Sequence, residues 1–198
     1  MRIALYGGTF DPVHDAHLAV AEEAVRVARL DRVLLIPAAD PPHKPGRAHA
    51  PYKDRLRMVE LACAGRAHLE ASDLERRQGR SYSIDTILQV RTALRREEQL
   101  YFLIGADAFS EIETWHRFSE VIRLVTFLVV SRPGYTYDIP AGASVERLDT
   151  LALPASSSEI RRLLSKGQRP PDLPPSVTDY IGTHGLYGFP AAGRCAIL

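Results

Sequence analysis

"RIALYGGTFDPVHDAHLAVAEEAVRVAR", residues 2–29, decides the fold. It opens on a continuous apolar run, turns on two glycines and continues at helical spacing. Residues 2–6 predict a strand and residues 14–29 a helix. In that helix Ala16, Val20, Ala24, Val27 and Ala28 recur at the helical period and are expected to face a sheet. Glu22, Glu23, Arg26 and Arg29 fall largely elsewhere. Asp11-Pro12 reads as the helix entry, with Asp as cap and Pro in the first turn.

The alternation continues along the chain. Strands are expected at 32–36, 68–71, 100–104 and 124–130. Helices are expected at 51–64, 83–96, 107–113, 156–165 and 176–184. The strands are apolar without alternation, the mark of strands covered on both faces by helices. Right-handed crossovers then give an α/β fold, a Rossmann-like doubly wound parallel sheet with helices on both faces. Such sheets bind ligands beyond the carboxyl ends of their strands. Residues 1–188 are expected to form a single domain, with the helices from about 156 packed against it and 189–198 as a tail.

The composition fits an ordinary core. The chain has 198 residues, 45% hydrophobic and 25% charged, with a formal net charge of +1. That balance gives no electrostatic case for nucleic acid or an anionic membrane as partner. Neither Cys63 nor Cys195 sits in a metal-ligand spacing, and a reducing, cytoplasmic setting is the simple expectation. The apolar strand begins at once, so no signal peptide is expected. The last four residues match a prenylation pattern, but no polybasic stretch accompanies them.

The strand ends carry the chemistry. After the first come Gly7, Gly8, Thr9 and Phe10, where the backbone can approach a phosphate at a helix start. His14 and His17 lie three apart, on one helix face. They read as core histidines, as metal ligands, or as donors to a polyphosphate held by the Gly turn and the helix dipole. No third metal ligand stands out. "PAADPPHKP", 37–45, brings Lys44 to the same edge. "SYSIDTI", 81–87, places Thr86 at a helix start. Gly105 and Asp107 follow the fourth strand, where the Asp either binds ribose hydroxyls or caps a helix. Trp115 and His116 come next, the Trp as core or as platform. Arg132 follows the fifth strand. "SSSEIRRLL", 156–164, holds an S-x-x-E capping box at Ser156 and Glu159. Its Ser157, Ser158 and Arg161 suit a triphosphate. "RPPDLPP", 169–175, reads as a spacer.

Taken together these motifs resemble the nucleotidyltransferase superfamily with an HxGH-type signature, and within it the bacterial nicotinate-nucleotide adenylyltransferases. The opening pattern stands here as "GGTFDPVHDAH", with Ala16 in place of the usual Gly. The late ISSTxIR pattern stands as "ASSSEIR". "PPHK", "SYSIDT", "FLIGAD", "TWHRF" and "SRPG" lie between them in the family order. The resemblance spans residues 2–188. It implies transfer of AMP from ATP to nicotinate mononucleotide, with Mg²⁺ arriving on the nucleotide and no protein-held metal. It implies that His14, His17 and Arg161 are catalytic. Gly7, Gly8, Thr9, Phe10, His17, Gly105, Asp107, Arg132, Ser157 and Arg161 would bind ATP. Lys44, Thr86, Asp107, Trp115 and His116 would bind the mononucleotide. A homo-oligomer is compatible with this resemblance.

Overall fold

The computed structural model describes residues 1–39, 48–76, 82–132, 134–149 and 155–190. Lys44 and Cys195 lie outside them. Six strands form one all-parallel sheet: β1 (Arg2–Gly8), β2 (Arg32–Pro37), β3 (Leu69–Ala71), β4 (Gln99–Gly105), β5 (Thr126–Ser131) and β6 (Ser144–Asp149). Their order is β3-β2-β1-β4-β5-β6. The order reverses between β1 and β4, the switch point where a doubly wound sheet opens a crevice.

The four inner strands β2, β1, β4 and β5 serve both faces, as their continuous apolar character requires. Ala4, Val33, Leu35, Tyr101, Leu103 and Leu128 point into one core. That core is closed by α1 (Asp15–Ala28), α2 (Tyr52–Cys63), α6 (Ser157–Leu164) and α7 (Pro175–His184). Ile3, Leu5, Ile36, Phe102, Ile104, Phe127 and Val129 point into the other. It is covered by α3 (Ser83–Ala93), α4 (Ala106–Phe109) and α5 (Phe118–Leu124). Among the described residues no helix is long and apolar enough to cross a membrane.

Four local expectations are corrected. Helix α1 starts at Asp15 with His14 as its N-cap, so Asp11 is not the cap and Pro12 precedes the first turn. Its buried stripe is Leu18, Ala21, Ala24 and Ala28, and Val27 is exposed. The expected strand at 124–130 begins two residues later, because Leu124 closes α5. The helix expected at 107–113 is only the short α4, followed by a 3-10 turn at Ile112–Thr114.

Two elements, α5 and the edge strand β6, were not expected from the sequence. "VIRLVTFLVV" is apolar straight across the α5–β5 boundary and hides both periods. In β6, "SVERLD", only Leu148 is buried, so an edge strand reads as a polar loop. The segment 169–175 is more than a spacer. Asp172 accepts a backbone hydrogen bond from Asp15 at 2.9 Å, pinning the first residue of α1, and Leu173 is buried.

Candidate active site

The crevice has a simple cause. The β1–β4 ladder ends at Leu5 opposite Phe102, yet the strands continue to Gly8 and Gly105. The two chain ends therefore splay apart and leave a cleft of about 540 Å³. Gly7, Gly8 and Thr9 line one side and Leu103, Ile104 and Gly105 the other. Tyr82, Phe102, Trp115 and His116 supply aromatic walls, and Glu75 brings a carboxylate. The Tyr82 and His116 rings lie 4.5 Å apart, and Trp115 meets Phe102 edge-on at 5.5 Å. A cleft of this size with flat apolar walls suits a planar ring.

Beside the Gly turn stand the two histidines, the His17 ring 6.2 Å from that of Tyr6, which also lines the cleft. Their rings stack with centroids 3.7 Å apart. The His14 backbone N–H donates to His17 Nδ1 at 3.3 Å. That ring nitrogen must then be unprotonated, which leaves the proton on Nε2 and makes His17 an N–H donor. His14 Nδ1 is buried without a hydrogen-bond partner among the described residues. Burial lowers the His14 pKa to about 4, against the opposing charge of Asp172. Burial, then the neighbouring His14, lowers His17 to about 3. Both rings are neutral near pH 7.

Helix α6 brings its N-terminus to the same turn. Ser156 caps it, accepting from the Glu159 backbone N–H at 3.2 Å. The Glu159 side chain pairs with Arg162, so only half of the expected capping box forms. Ser157 donates its hydroxyl to the Pro12 carbonyl at 3.1 Å. Arg161 donates to the Asp11 carbonyl at 2.7 Å and to Ser158 Oγ at 3.2 Å. The late motif, about 145 residues from the early one, thus reaches residues 11–14 through two side chains.

The structure sorts the expected site residues. Gly7, Gly8, Thr9, Gly105, Trp115 and His116 line the cleft. His14, His17, Ser157 and Arg161 gather around the 11–14 turn. Phe10 points its ring into the core instead, edge-on to Tyr6 at 5.5 Å and to His17 at 5.0 Å. Gly8 lies against that ring, where a Cβ would stand 3.0 Å from it. Thr86 is buried and donates its hydroxyl to Glu75 at 3.1 Å. Asp107 and Arg132 are exposed beyond the ends of β4 and β5 and are not part of the cleft lining.

Three groups escaped the sequence reading. Arg55 is 1% exposed and donates to the carbonyls of Thr9, Ala38 and Ala50 at 2.7, 2.8 and 3.2 Å. It ties the ends of β1 and β2 together beneath the cleft. Glu75 accepts from the Ala39 backbone N–H at 3.3 Å besides Thr86. Asp11, buried, accepts from the backbone N–H groups of His49 and Ala50 and from the Tyr187 hydroxyl. "YKDRL" and "SDLER" carry no local signal for these roles, since the Thr9 and Ala38 carbonyls and the Ala39 N–H that they hold are 17 or more residues away.

Known proteins share this architecture and sequence. The cytidylyltransferase-like family model matches residues 5–163. A probable nicotinate-nucleotide adenylyltransferase of Solibacter usitatus is 59% identical over 94% of this chain and 100% of its own. One from Pelobacter propionicus is 43% identical, over 94% and 98%. A nicotinic acid mononucleotide adenylyltransferase of Plasmodium falciparum, solved in complex with NaAD, superposes with a TM-score of 0.77 at 21% identity. That match covers 96% of this chain and 99% of the other. The chain belongs to the cytidylyltransferase-like family, on its nicotinate-nucleotide adenylyltransferase branch.

Proposed function

We propose that the chain transfers the adenylyl group of ATP to nicotinate mononucleotide, forming nicotinate adenine dinucleotide and pyrophosphate in NAD synthesis in the cytoplasm. The observation that carries this reading is the placement of two unlike half-sites on one turn. Gly7–Thr9 lines an aromatic cleft and runs on into the turn that carries the His14–His17–Ser157–Arg161 group. The curated relative of Solibacter usitatus, 59% identical over nearly the whole chain, supports the acceptor.

The chemistry asks for little besides placement and charge. An oxygen of the mononucleotide phosphate attacks the α-phosphorus of ATP. The bond from that phosphorus to the oxygen bridging to the β-phosphorus breaks, and its electron pair leaves with pyrophosphate. The attacking oxygen is already anionic near neutral pH, so no general base is needed. In-line positioning supplies up to roughly 7–11 kcal/mol. His17 Nε2–H, the Arg161 guanidinium and the N-terminus of α6, which Ser157 ties to the Pro12 carbonyl, then face the triphosphate and stabilise charge on the leaving group. Neutral imidazoles suit this role, because they donate a hydrogen bond without a prior proton-transfer step.

Among the described residues no three His, Cys, Asp or Glu side chains come together as a metal cluster. The donors around the turn match phosphate oxygens, not a cation. Mg²⁺ carried on ATP, with phosphate and water as its ligands, fits that donor set. When bound it supplies charge neutralisation on the phosphates.

Pyrophosphate release from ATP tests the reading, with nicotinate mononucleotide, nicotinamide mononucleotide and phosphopantetheine as alternative acceptors. Release with the first, well above the others, is expected. Release only with phosphopantetheine would overturn the acceptor assignment. ATP binding with no release from any of the three would point to a nucleotide sensor.

A further inference from the structure

The C-terminal end of the described chain touches the active-site turn at one point. Beyond α7 the chain turns at Gly185 into a 3-10 turn, Leu186–Gly188. Within it Tyr187 takes φ 57 and ψ 24, a left-handed conformation that disfavours any residue with a Cβ. Its hydroxyl donates to Asp11 Oδ1 at 2.7 Å. The Asp11 carboxylate also accepts from His49 N–H at 2.6 Å and Ala50 N–H at 3.1 Å. Its backbone carbonyl takes the Arg161 bond described above. Asp11 is 3% exposed, so these contacts decide where it sits.

The residue before it, Phe10, is also left-handed, at φ 47. Two disfavoured backbones therefore flank one hydrogen bond. The Phe10 ring lies under Gly8 and edge-on to His17, and His14 follows Asp11 by three residues. A shift of Asp11 would move the ring that backs His17 and the N-cap whose N–H fixes the His17 tautomer.

We propose that Tyr187 is a positioning residue for the reaction, holding the His14–His17 pair in its reactive geometry through the Asp11 carboxylate. This rests on the adenylyl-transfer reading, and it adds a part played by the chain's far end. Loss of the hydroxyl leaves Asp11 two backbone donors, so the turn stays folded but is no longer centred.

Two variants and two readouts test this. Tyr187→Phe removes only the hydroxyl. Tyr187→Asn removes it too and relieves the backbone, since Asn tolerates the left-handed region, and it serves if Tyr187→Phe does not fold. In a pyrophosphate-release assay each is expected to lower kcat about 10-fold while KM for ATP and for the acceptor stays within twofold. Ring ¹⁵N shifts are expected to show His17 as a single Nε2–H tautomer in the wild type and as a mixture in the variants. Unchanged kcat in a folded variant, or a raised KM for ATP with kcat intact, would overturn the proposal. So would an unaltered His17 spectrum. A wild type without turnover would instead defeat the activity reading and leave the NMR comparison to decide the role of Tyr187.

Discussion

The imidazole rings of His14 and His17 stack 3.7 Å apart, and the second accepts the backbone N–H of the first. The N-cap of α1 and its first turn are thus joined by side chains of the same type, one of them with a buried nitrogen that has no hydrogen-bond partner among the described residues. Such an arrangement gains little as packing and is costly once protonated.

Its cost sets a pH dependence. The folded pKa values are lowered to about 4 for His14 and about 3 for His17, against an ordinary value near 6.5. Above pH 6.5 both rings are neutral folded and unfolded, and nothing is lost. Below it the unfolded chain binds protons that the folded one refuses, so stability falls with pH toward about 3. By pH 5 the loss is about 2 kcal/mol per histidine. Urea midpoints at pH 8, 6 and 5 should show the decline. Replacing both histidines by Asn should flatten it, and an equally steep decline in that variant would refute the assignment.

His17→Ala removes the Nε2–H donor that the proposed reaction directs at the phosphates. Turnover is expected to fall 10²- to 10³-fold, the measured scale for one well-placed donor, worth about 3–4 kcal/mol. Stability near pH 7 should change far less. Pyrophosphate release and urea unfolding on the same sample separate the two effects. A variant that unfolds readily yet keeps its activity per folded molecule would make His17 a core residue.

Most of the sheet could be read in the sequence because β1, β2, β4 and β5 are buried on both sides and contain little else than apolar residues. The two histidines, Ser157 and Arg161 were legible because each lies at a recognisable strand end or helix start. Asp11 was legible as a residue but not in its role. A capping Asp and a buried Asp read alike until Tyr187, 176 positions away, is seen on its carboxylate. Arg55 hid for a similar reason. On a helix that also carries Lys53 and Arg57 nothing local marks the residue whose acceptors are Thr9, Ala38 and Ala50.

Arg55→Met keeps much of the side-chain volume and removes the guanidinium. One buried carbonyl, that of Ala50, and two part-buried ones, those of Thr9 and Ala38, lose their donor, and Asp11 and Glu75 lose a nearby positive charge. A loss of about 3 kcal/mol in folding stability is expected, since unpaired buried acceptors cost more than the bonds themselves contribute. Arg55→Lys should recover only part, because one ammonium cannot span carbonyls on three segments. Urea unfolding of both variants measures this. Equal stability of Met and Lys would show that side-chain volume, not hydrogen bonding, holds the strand ends.

Trp115→Ala tests the aromatic wall. Trp115 lines the cleft and packs edge-on to Phe102, with partial exposure. If the acceptor ring lies there, its KM should rise about 10-fold, in line with the roughly 1–3 kcal/mol that base–aromatic stacking contributes. KM for ATP should move little, because the two histidines are not part of the cleft lining that Trp115 belongs to. Initial rates with each substrate varied in turn distinguish the cases. A rise in KM for ATP alone would exchange the two half-sites.

Gly8→Ala separates two reasons for a glycine at the end of β1. One is close approach of a phosphate to the backbone. The other is the Phe10 ring, whose nearest atom would lie 3.0 Å from the new methyl, closer than ordinary contact. Phe10 is 2% exposed with a left-handed backbone, so the ring cannot swing aside freely. Overpacking of this kind costs about 1–3 kcal/mol. It should also disturb His17, whose ring rests on Phe10 at 5.0 Å. Gly8→Ala is therefore expected to lower stability and kcat together. The second change Phe10→Leu should restore stability by making room for the methyl. If stability returns but turnover does not, the Phe10 ring itself is needed to back His17. If Gly8→Ala alone leaves stability unchanged and raises KM for ATP, the glycine serves the phosphate and not the ring.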